Sequence, residues 1–336
     1  MAHSGCKFLS WVSQPLAACL SAPLEDHSGA TTGPLAIVIS AHLPEAQPLL
    51  HGPVGSEGES VQAVQRPPKA KARASAGKRE RVAGVRDEDV SAGARIPARG
   101  KGGLCTQALL HELSRLERGL PAEQRGSVTL GKLLAAMHDF LVAGGFPTAL
   151  LTVRSSSELP GALEVARALG VGASGRQLRR ALLVGVRYVN APERSQLQGP
   201  WNDICDMCAW LVNQHGWATE DVCMLLDRDG CEPPTRKNIL KGLDWLLQGG
   251  AHFASHSDAP LEGPAGCRLL HFSGHGDKRK LLPMDWETAG GIRDDDLLEV
   301  VKNARLPEGC AFTCILDCCE SSSFFQRSFH YKAQLP

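Results

Sequence analysis

The chain lacks a net charge: 36 Lys and Arg offset 36 Asp and Glu over 336 residues. That balance argues against the whole protein binding nucleic acid or a membrane surface, since both need a field of one sign. It also lacks any apolar run near the roughly 20 residues of a transmembrane helix. The first stretch, MAHSGCKFLSWVSQPLAACLSAPLE, has one Lys and a broken apolar segment. It makes a poor secretory signal and leaves an organellar transit peptide open. The twelve cysteines lack the regular spacing of a small secreted scaffold, and the chain is too long for one. The expectation is mostly buried thiols in a reducing compartment, hence a cytoplasmic protein.

What is there suffices for a core. Hydrophobic residues make up 43% of the chain, enough for one large domain or two small ones. Residues 1–33 look loose. LAIVIS, 35–40, reads as a buried strand. Residues 52–103 show no hydrophobic periodicity, and 65–101 carry eleven Lys or Arg against four Asp or Glu. This reads as a solvated, disordered basic insertion rather than a nucleic-acid tail. Helices are expected over 104–117 and 129–145, the second capped by Thr129 and stopped by Gly144–Gly145. A strand follows over 148–153, then a short helix over 162–170. From 180 the rhythm alternates. Strands at 180–189, 221–227, 267–274 and 310–318 enclose helices at 201–216, 234–250 and 294–304. Such alternation implies a mostly parallel sheet with helices on both faces, and active groups beyond the C-terminal strand ends.

Two of those ends are chemically unusual. LLHFSGHGD, 269–277, and CILDCCESSS, 314–323, are apolar runs that break into reactive residues. A thiol attacks a carbonyl as a thiolate and needs a nearby base. Cys319 and His275 are candidates for that pair. The glycines flanking His275 let a substrate backbone come close, and the N–H groups of Gly276 and Cys319 are candidates to hold an oxyanion. Against this, one Cys among twelve is more often core, and a lone His more often packing. A zinc reading also exists. Cys310, Cys314 and Cys318 share a strand face, but residues four apart on a strand are about 13 Å apart. The C-x-x-C pair Cys205 and Cys208 has no partner pair.

The motifs RRALLVGVRY, WNDICDM, PTRKNIL, HFSGHGD, PMDWETAGGIRDDDL and ILDCCESSS occur in that order over 179–323. In that order they resemble the large-subunit half of a metacaspase, a caspase-fold cysteine peptidase. The resemblance implies a Cys319–His275 dyad; the 44-residue separation compares with about 50 in caspases. It implies no third triad member. It also implies cleavage after Arg or Lys, with Asp203, Asp317 and Ser273 lining the pocket for the basic side chain, since paired carboxylates suit a guanidinium. The implied partners are proteins or peptides with basic residues, and the expected state is a monomer.

There are departures. Glu320, Ser321 and Ser322 replace the family's usual His-Ser-Gly after the nucleophile, and Pro200 replaces a common Cys. The loop after His275 is only GDKRKLL, which puts calcium activation in doubt and leaves no required cofactor. Asp294, Asp295 and Asp296 are weak calcium candidates, because hard cations want six or more oxygens. The small-subunit half is not found after Cys319. GGLCTQALLHEL, VTLGKLLAAMHDFLVAGGF and ALLTVRSSSEL resemble its later elements, and AIVISAHLPEAQ its opening strand, with Pro44 and Ala46 as departures. That reversed order resembles the type III metacaspases of algae. The expected fold is therefore a caspase-like α/β three-layer sandwich in circularly permuted order. A small-subunit-like half over 34–160 would be joined by a linker, 161–178, to a catalytic half, 179–336. Strand 35–40 should then pair with 310–317, which would otherwise be a bare apolar edge. Self-processing within the basic insertion, at bonds such as those after Arg66, Lys78, Arg79 or Arg99, is expected. The alternative is an inactive caspase-fold module that binds or regulates, favoured by Glu320 and the short loop.

Overall fold

The computed structural model describes residues 35–42, 102–121, 124–146, 149–155, 163–171, 179–248, 266–304, 306, 309–319, 321, 324 and 329–333. The elements run β1 (Leu35–His42), α1 (Leu104–Glu117), α2 (Leu130–Ala143), β2 (Leu150–Ser155), α3 (Val165–Leu169), β3 (Arg180–Gly185) and α4 (Pro200–Ala209). There follow β4 (Val222–Leu226), α5 (Arg236–Gln248), β5 (Cys267–Ser273), β6 (Gly276–Asp277), β7 (Lys280–Leu281), β8 (Ile292–Arg293), α6 (Asp294–Asn303), β9 (Ala311–Asp317) and β10 (Phe329–Ala333).

Seven strands form one sheet in the order β10-β2-β1-β9-β5-β3-β4. From β1 to β4 neighbours are parallel, while β2 runs antiparallel to both β1 and β10. β1 lies beside β9, with Ile37 opposite Thr313 and Ile39 opposite Ile315. The strand at 310–317 is thus an interior one, which explains why it is apolar on both faces.

Strand alternation sorts the core into two layers. Ile37, Ile39, Leu269 and Ile315 face α1, α2, α3 and α4. Val38, Leu270, Phe272, Cys314 and Leu316 face α5 and α6. The result is a three-layer sandwich. The helices start where local chemistry allows. The Thr129 hydroxyl accepts the Lys132 N–H at 3.3 Å, and the Thr235 hydroxyl accepts that of Asn238 at 3.2 Å. Pro200 opens α4, where its missing N–H costs nothing. Three acids fill the first turn of α6, at the positive end of its dipole.

Some sequence expectations are corrected. The strand expected to reach 189 ends at Gly185, and the chain turns so that Tyr188 adopts φ +59°. The helix expected to reach 216 passes at Trp210 into a π turn ending at Gln214. The short helix expected over 162–170 is present and spans Val165–Leu169, with Ala168 O accepting the Thr313 hydroxyl and the Cys267 thiol. β10 and the small β6-β7-β8 sheet were not anticipated. The basic insertion and its candidate cleavage bonds lie outside the described residues.

Ile39 is fully buried and flanked by Ile315 and Val153. Ile39→Ala should cost about 2–5 kcal/mol. Because β1 and β9 share one core, chemical denaturation should show that loss in one cooperative transition reported equally by both halves.

Candidate active site

Strands β3, β5 and β9 end side by side, with Gly185 opposite Ser273 and Ser273 opposite Asp317. Alternation turns His271, Ser273 and Asp317 toward the layer that holds α1 and α4. Two acids meet there. The Asp203 carboxyl, on the first turn of α4, accepts the Gly103 N–H at 2.8 and 3.0 Å and the Ser273 hydroxyl at 2.6 Å. The Asp317 carboxyl accepts the Thr106 N–H at 2.8 Å. Burial, and then the neighbouring charge of Asp317, push Asp203 up to about 8. Burial raises Asp317 as well.

The chain itself covers part of this pair. A Cβ on Gly103 would stand 2.0 Å from an Asp317 oxygen, and one on Gly102 2.5 Å from an Asp203 oxygen. Only glycine permits that approach. Asp203 is 2% exposed, whereas Asp317 keeps partial exposure. The expected acid pocket is therefore a partly open Asp317 backed by a covered Asp203.

The two cysteines after β9 differ sharply. Cys318 is buried, and burial followed by the Asp317 charge raises its thiol well above the ordinary range. Cys319 is exposed. The turn carrying His275 lies directly on this segment. A Cβ on Gly276 would stand 2.3 Å from Cys319 O and 3.0 Å from Cys318 Sγ.

His275 is held on three sides. Its N–H donates to Tyr188 Oη at 2.9 Å, and that hydroxyl donates to Leu282 O at 2.6 Å. Its carbonyl accepts the Leu282 N–H at 3.1 Å. Its ring packs on the Tyr188 ring at 4.6 Å, and Nε2 lies 2.8 Å from Ser195 O. A carbonyl can only accept, so Nε2 carries the proton. In the neutral ring, Nδ1 is then left with its lone pair.

The sequence profile of the metacaspase peptidase C14 domain matches residues 179–328. Residues 179–328 form a metacaspase peptidase C14 domain. Similar chains include "Metacaspase III c" of the diatom Phaeodactylum tricornutum, 29% identical over 70% of this chain and 68% of that one. They also include "Metacaspase-1" of Schizosaccharomyces pombe, 31% identical over 46% of this chain and 37% of that one. "Metacaspase-1A" of Neurospora crassa is 33% identical over 48% and 35%. The chain thus spans about a third of the length of these two fungal relatives. Metacaspases are cysteine-type peptidases, and the sheet with its flanking helices is consistent with their caspase-like fold.

The metacaspase domain brings His275, Gly276, Cys319, Asp203, Asp317 and Ser273 to one end of its sheet. Glu320 lies outside the described residues. Asp294, Asp295 and Asp296 stand apart from this cluster. Arg279 pairs with Asp294 at 2.8 Å and Asp295 at 2.9 Å, Arg293 with Asp295 at 3.3 Å, and Arg236 with Asp296 at 3.2 Å. These cation-paired carboxylates do not fit the oxygen cage that calcium needs. Among the described residues no cluster of three or more His, Cys, Asp or Glu has metal-binding geometry. Reading the sequence missed Ser195, Tyr188, Gly103 and Thr106. The glycine pair and the Thr of GGLCT were the only signal for the last two.

A raised carboxyl pKa has a stability consequence of definite sign. Below about pH 4 folded and unfolded chains both hold the Asp203 proton. Between about 4 and about 8 only the folded chain keeps it, so stability falls as pH rises. Thermal midpoints should therefore drop from about pH 6 to about pH 9, and Asp203→Asn should flatten that slope.

Proposed function

We propose that the chain is a cysteine endopeptidase that cleaves after Arg or Lys, with Cys319 as nucleophile and His275 as base. The observation that carries this reading is the contrast at 318–319. One thiol is buried and held protonated, the next is exposed, and the His275 turn lies against them. In the reaction, His275 Nδ1 takes the Cys319 proton and the thiolate adds to the scissile carbonyl carbon. The Gly276 and Cys319 N–H groups face the developing oxyanion. The imidazolium then protonates the leaving amine, and the C–N bond breaks. Water, deprotonated by His275, hydrolyses the thioester and restores the thiol. Ser195 O keeps Nε2 protonated throughout, as an orienting group does in a triad. The partly open Asp317, with Asp203 behind it, attracts the guanidinium or ammonium of the residue before the cleaved bond.

The reading includes the permuted order, with the first half supplying β1, β2, α1 and α2 to the sandwich. The match to the diatom relative covers 70% of the chain, more than the stretch from 179 to the end can hold. It therefore reaches into the first half, which supports this order. Self-processing in the basic insertion and a cytoplasmic, monomeric protein belong to the same reading. Calcium has no assigned step in it. A second reading, an inactive binding module, is favoured by the cover that Gly102 and Gly103 lay over Asp203.

Fluorogenic peptides differing only in Arg, Lys, Asp or Ala before the reporter decide between the two. Arg and Lys peptides should be cleaved and the others not. Cys319→Ala or His275→Ala should leave less than about a thousandth of the rate, while Cys318→Ala keeps most of it. Asp317→Asn should cost about 2–5 kcal/mol in kcat/KM for the Arg peptide. Equal cleavage by wild type and Cys319→Ala, or a preference for Asp, would overturn the assignment.

A further inference from the structure

Two of the supports of His275 come from one loop. The chain leaves β3 at Gly185 and enters α4 at Pro200. Between them, Tyr188 gives its ring and hydroxyl to His275, and Ser195 gives the carbonyl that faces Nε2. A loop shift of about 1 Å would stretch the Ser195 contact beyond hydrogen-bonding reach.

That loop is tied down by a residue outside it. Asp227 follows β4 and is 5% exposed. Its Oδ1 accepts the Arg187 N–H at 2.9 Å and the Trp201 Nε1–H at 2.8 Å, and its Oδ2 accepts the Val189 N–H at 3.2 Å. The two backbone donors flank Tyr188. Tyr188 stands at φ +59°, in the left-handed region that a bulky side chain avoids. Such a conformation persists only where its surroundings fix it, and the carboxyl grips the chain on either side. A relaxed Tyr188 backbone would swing its ring and hydroxyl away from His275.

The Ser195 end of the loop hangs from the same anchor. Arg187 O accepts the Leu197 N–H at 3.0 Å, and Arg187 Nε donates to Leu197 O at 2.9 Å. The Gln196 amide donates to Val189 O at 3.2 Å and to Ala191 O at 2.9 Å. The Arg187 guanidinium lies 4.3 Å over the ring of Trp201, whose N–H Asp227 holds. Asp227 thus fixes residues 187 and 189, and these fix the two residues that follow Ser195.

We infer that Asp227 is a positioning residue for the base: it anchors the 186–199 loop so that Tyr188 and Ser195 hold the His275 ring in the tautomer that leaves Nδ1 free. This inference rests on the proposed role of His275. Among the described residues the Asp227 carboxyl bonds N–H groups of the loop and of α4, not the imidazole, so it acts through the conformation of the loop.

The test uses the full chain carrying Asp227→Asn or Asp227→Ala. Asn keeps the shape and one acceptor oxygen, and Ala removes both. Ring-nitrogen NMR spectra are recorded at about pH 8, above the ordinary imidazole range, in a Cys319→Ala background. The His275 signal, identified by its loss in His275→Gln, should be a single Nε2–H tautomer. Asp227→Ala should turn it into a mixture of the two neutral tautomers, with Asp227→Asn between. With Cys319 in place, kcat for the Arg peptide should fall about a hundredfold in Asp227→Ala, the lower end of what a positioned base contributes, and about tenfold in Asp227→Asn. KM should stay within about twofold, since the acid pair is untouched. Iodoacetamide labelling, read on the Cys319 peptide, should slow at about pH 7 and match wild type at about pH 9.5, where a thiol ionises without a base. A single tautomer and wild-type kcat in Asp227→Ala would overturn the inference. So would a rise in KM as large as the fall in kcat, or labelling altered equally at both pH values, the marks of a general disturbance of the fold. A wild type that cleaves no Arg peptide would overturn the cleavage reading alone, and the tautomer spectra would still decide whether Asp227 anchors the ring.

Discussion

Two carboxyl groups side by side in a protein interior must be hydrogen-bonded, paired with cations or protonated, because bare charge there costs several kcal/mol. Asp203 and Asp317 meet this constraint with N–H groups and a hydroxyl. Their donors come from two directions: Ser273 on β5 and the backbone at the start of α1. Helix α1 can reach them because it packs on β1 and β9, and β1 lies where it does because β9 needs a neighbour. The sheet order thus positions the acid pair, and the acid pair ties residues 102–106 to the metacaspase domain. Gly102 and Gly103 follow from the same constraint, since any side chain there would strike a carboxyl.

Much of this architecture was legible in the residues. The alternating rhythm after 180 gave parallel strands and their order of appearance. The doubly apolar stretch at 310–317 demanded neighbours on both sides, which is why strand 35–40 was expected beside it. What escaped notice has physical reasons. β10 and the β6-β7-β8 sheet are short antiparallel pieces with no alternation long enough to read. The strand after Arg180 overshot because Val186, Tyr188 and Val189 prolong the apolar alternation past Gly185. Tyr188 leaves the sheet instead, and its hydroxyl bridges the His275 N–H and Leu282 O.

The site divides along a similar line. His275, Cys319, Asp203, Asp317 and Ser273 carry their chemistry in side chains set within local motifs, so residue type and spacing were enough to single them out. Ser195 acts through a carbonyl that every residue possesses, and no pattern marks which one will face an imidazole 80 positions later. Thr106 meets Asp317 across 211 positions and His271 across 165. Such contacts exist only once the sheet is assembled. They were hidden from a reading of one sequence for the same reason that the sheet order was only partly visible in it.

The adjacent cysteines show how far side-chain direction alone can assign a role. Along β9 the even-numbered residues Cys314 and Leu316 enter the layer under α5 and α6, and Cys318 continues that series into the same cluster. The odd-numbered Thr313, Ile315 and Asp317 point to the opposite layer, where α1 and α4 wait with their donors. A slip of one residue would exchange the two sets. It would bury the Asp317 carboxyl among Leu and Phe side chains and turn Cys318 toward the acids. The pairing of Ser273 with Asp317 and the seat of Gly276 against Cys319 O resist that slip. Register, rather than any intrinsic difference between two thiols, therefore leaves Cys318 protonated in the core and Cys319 exposed beside the His275 turn.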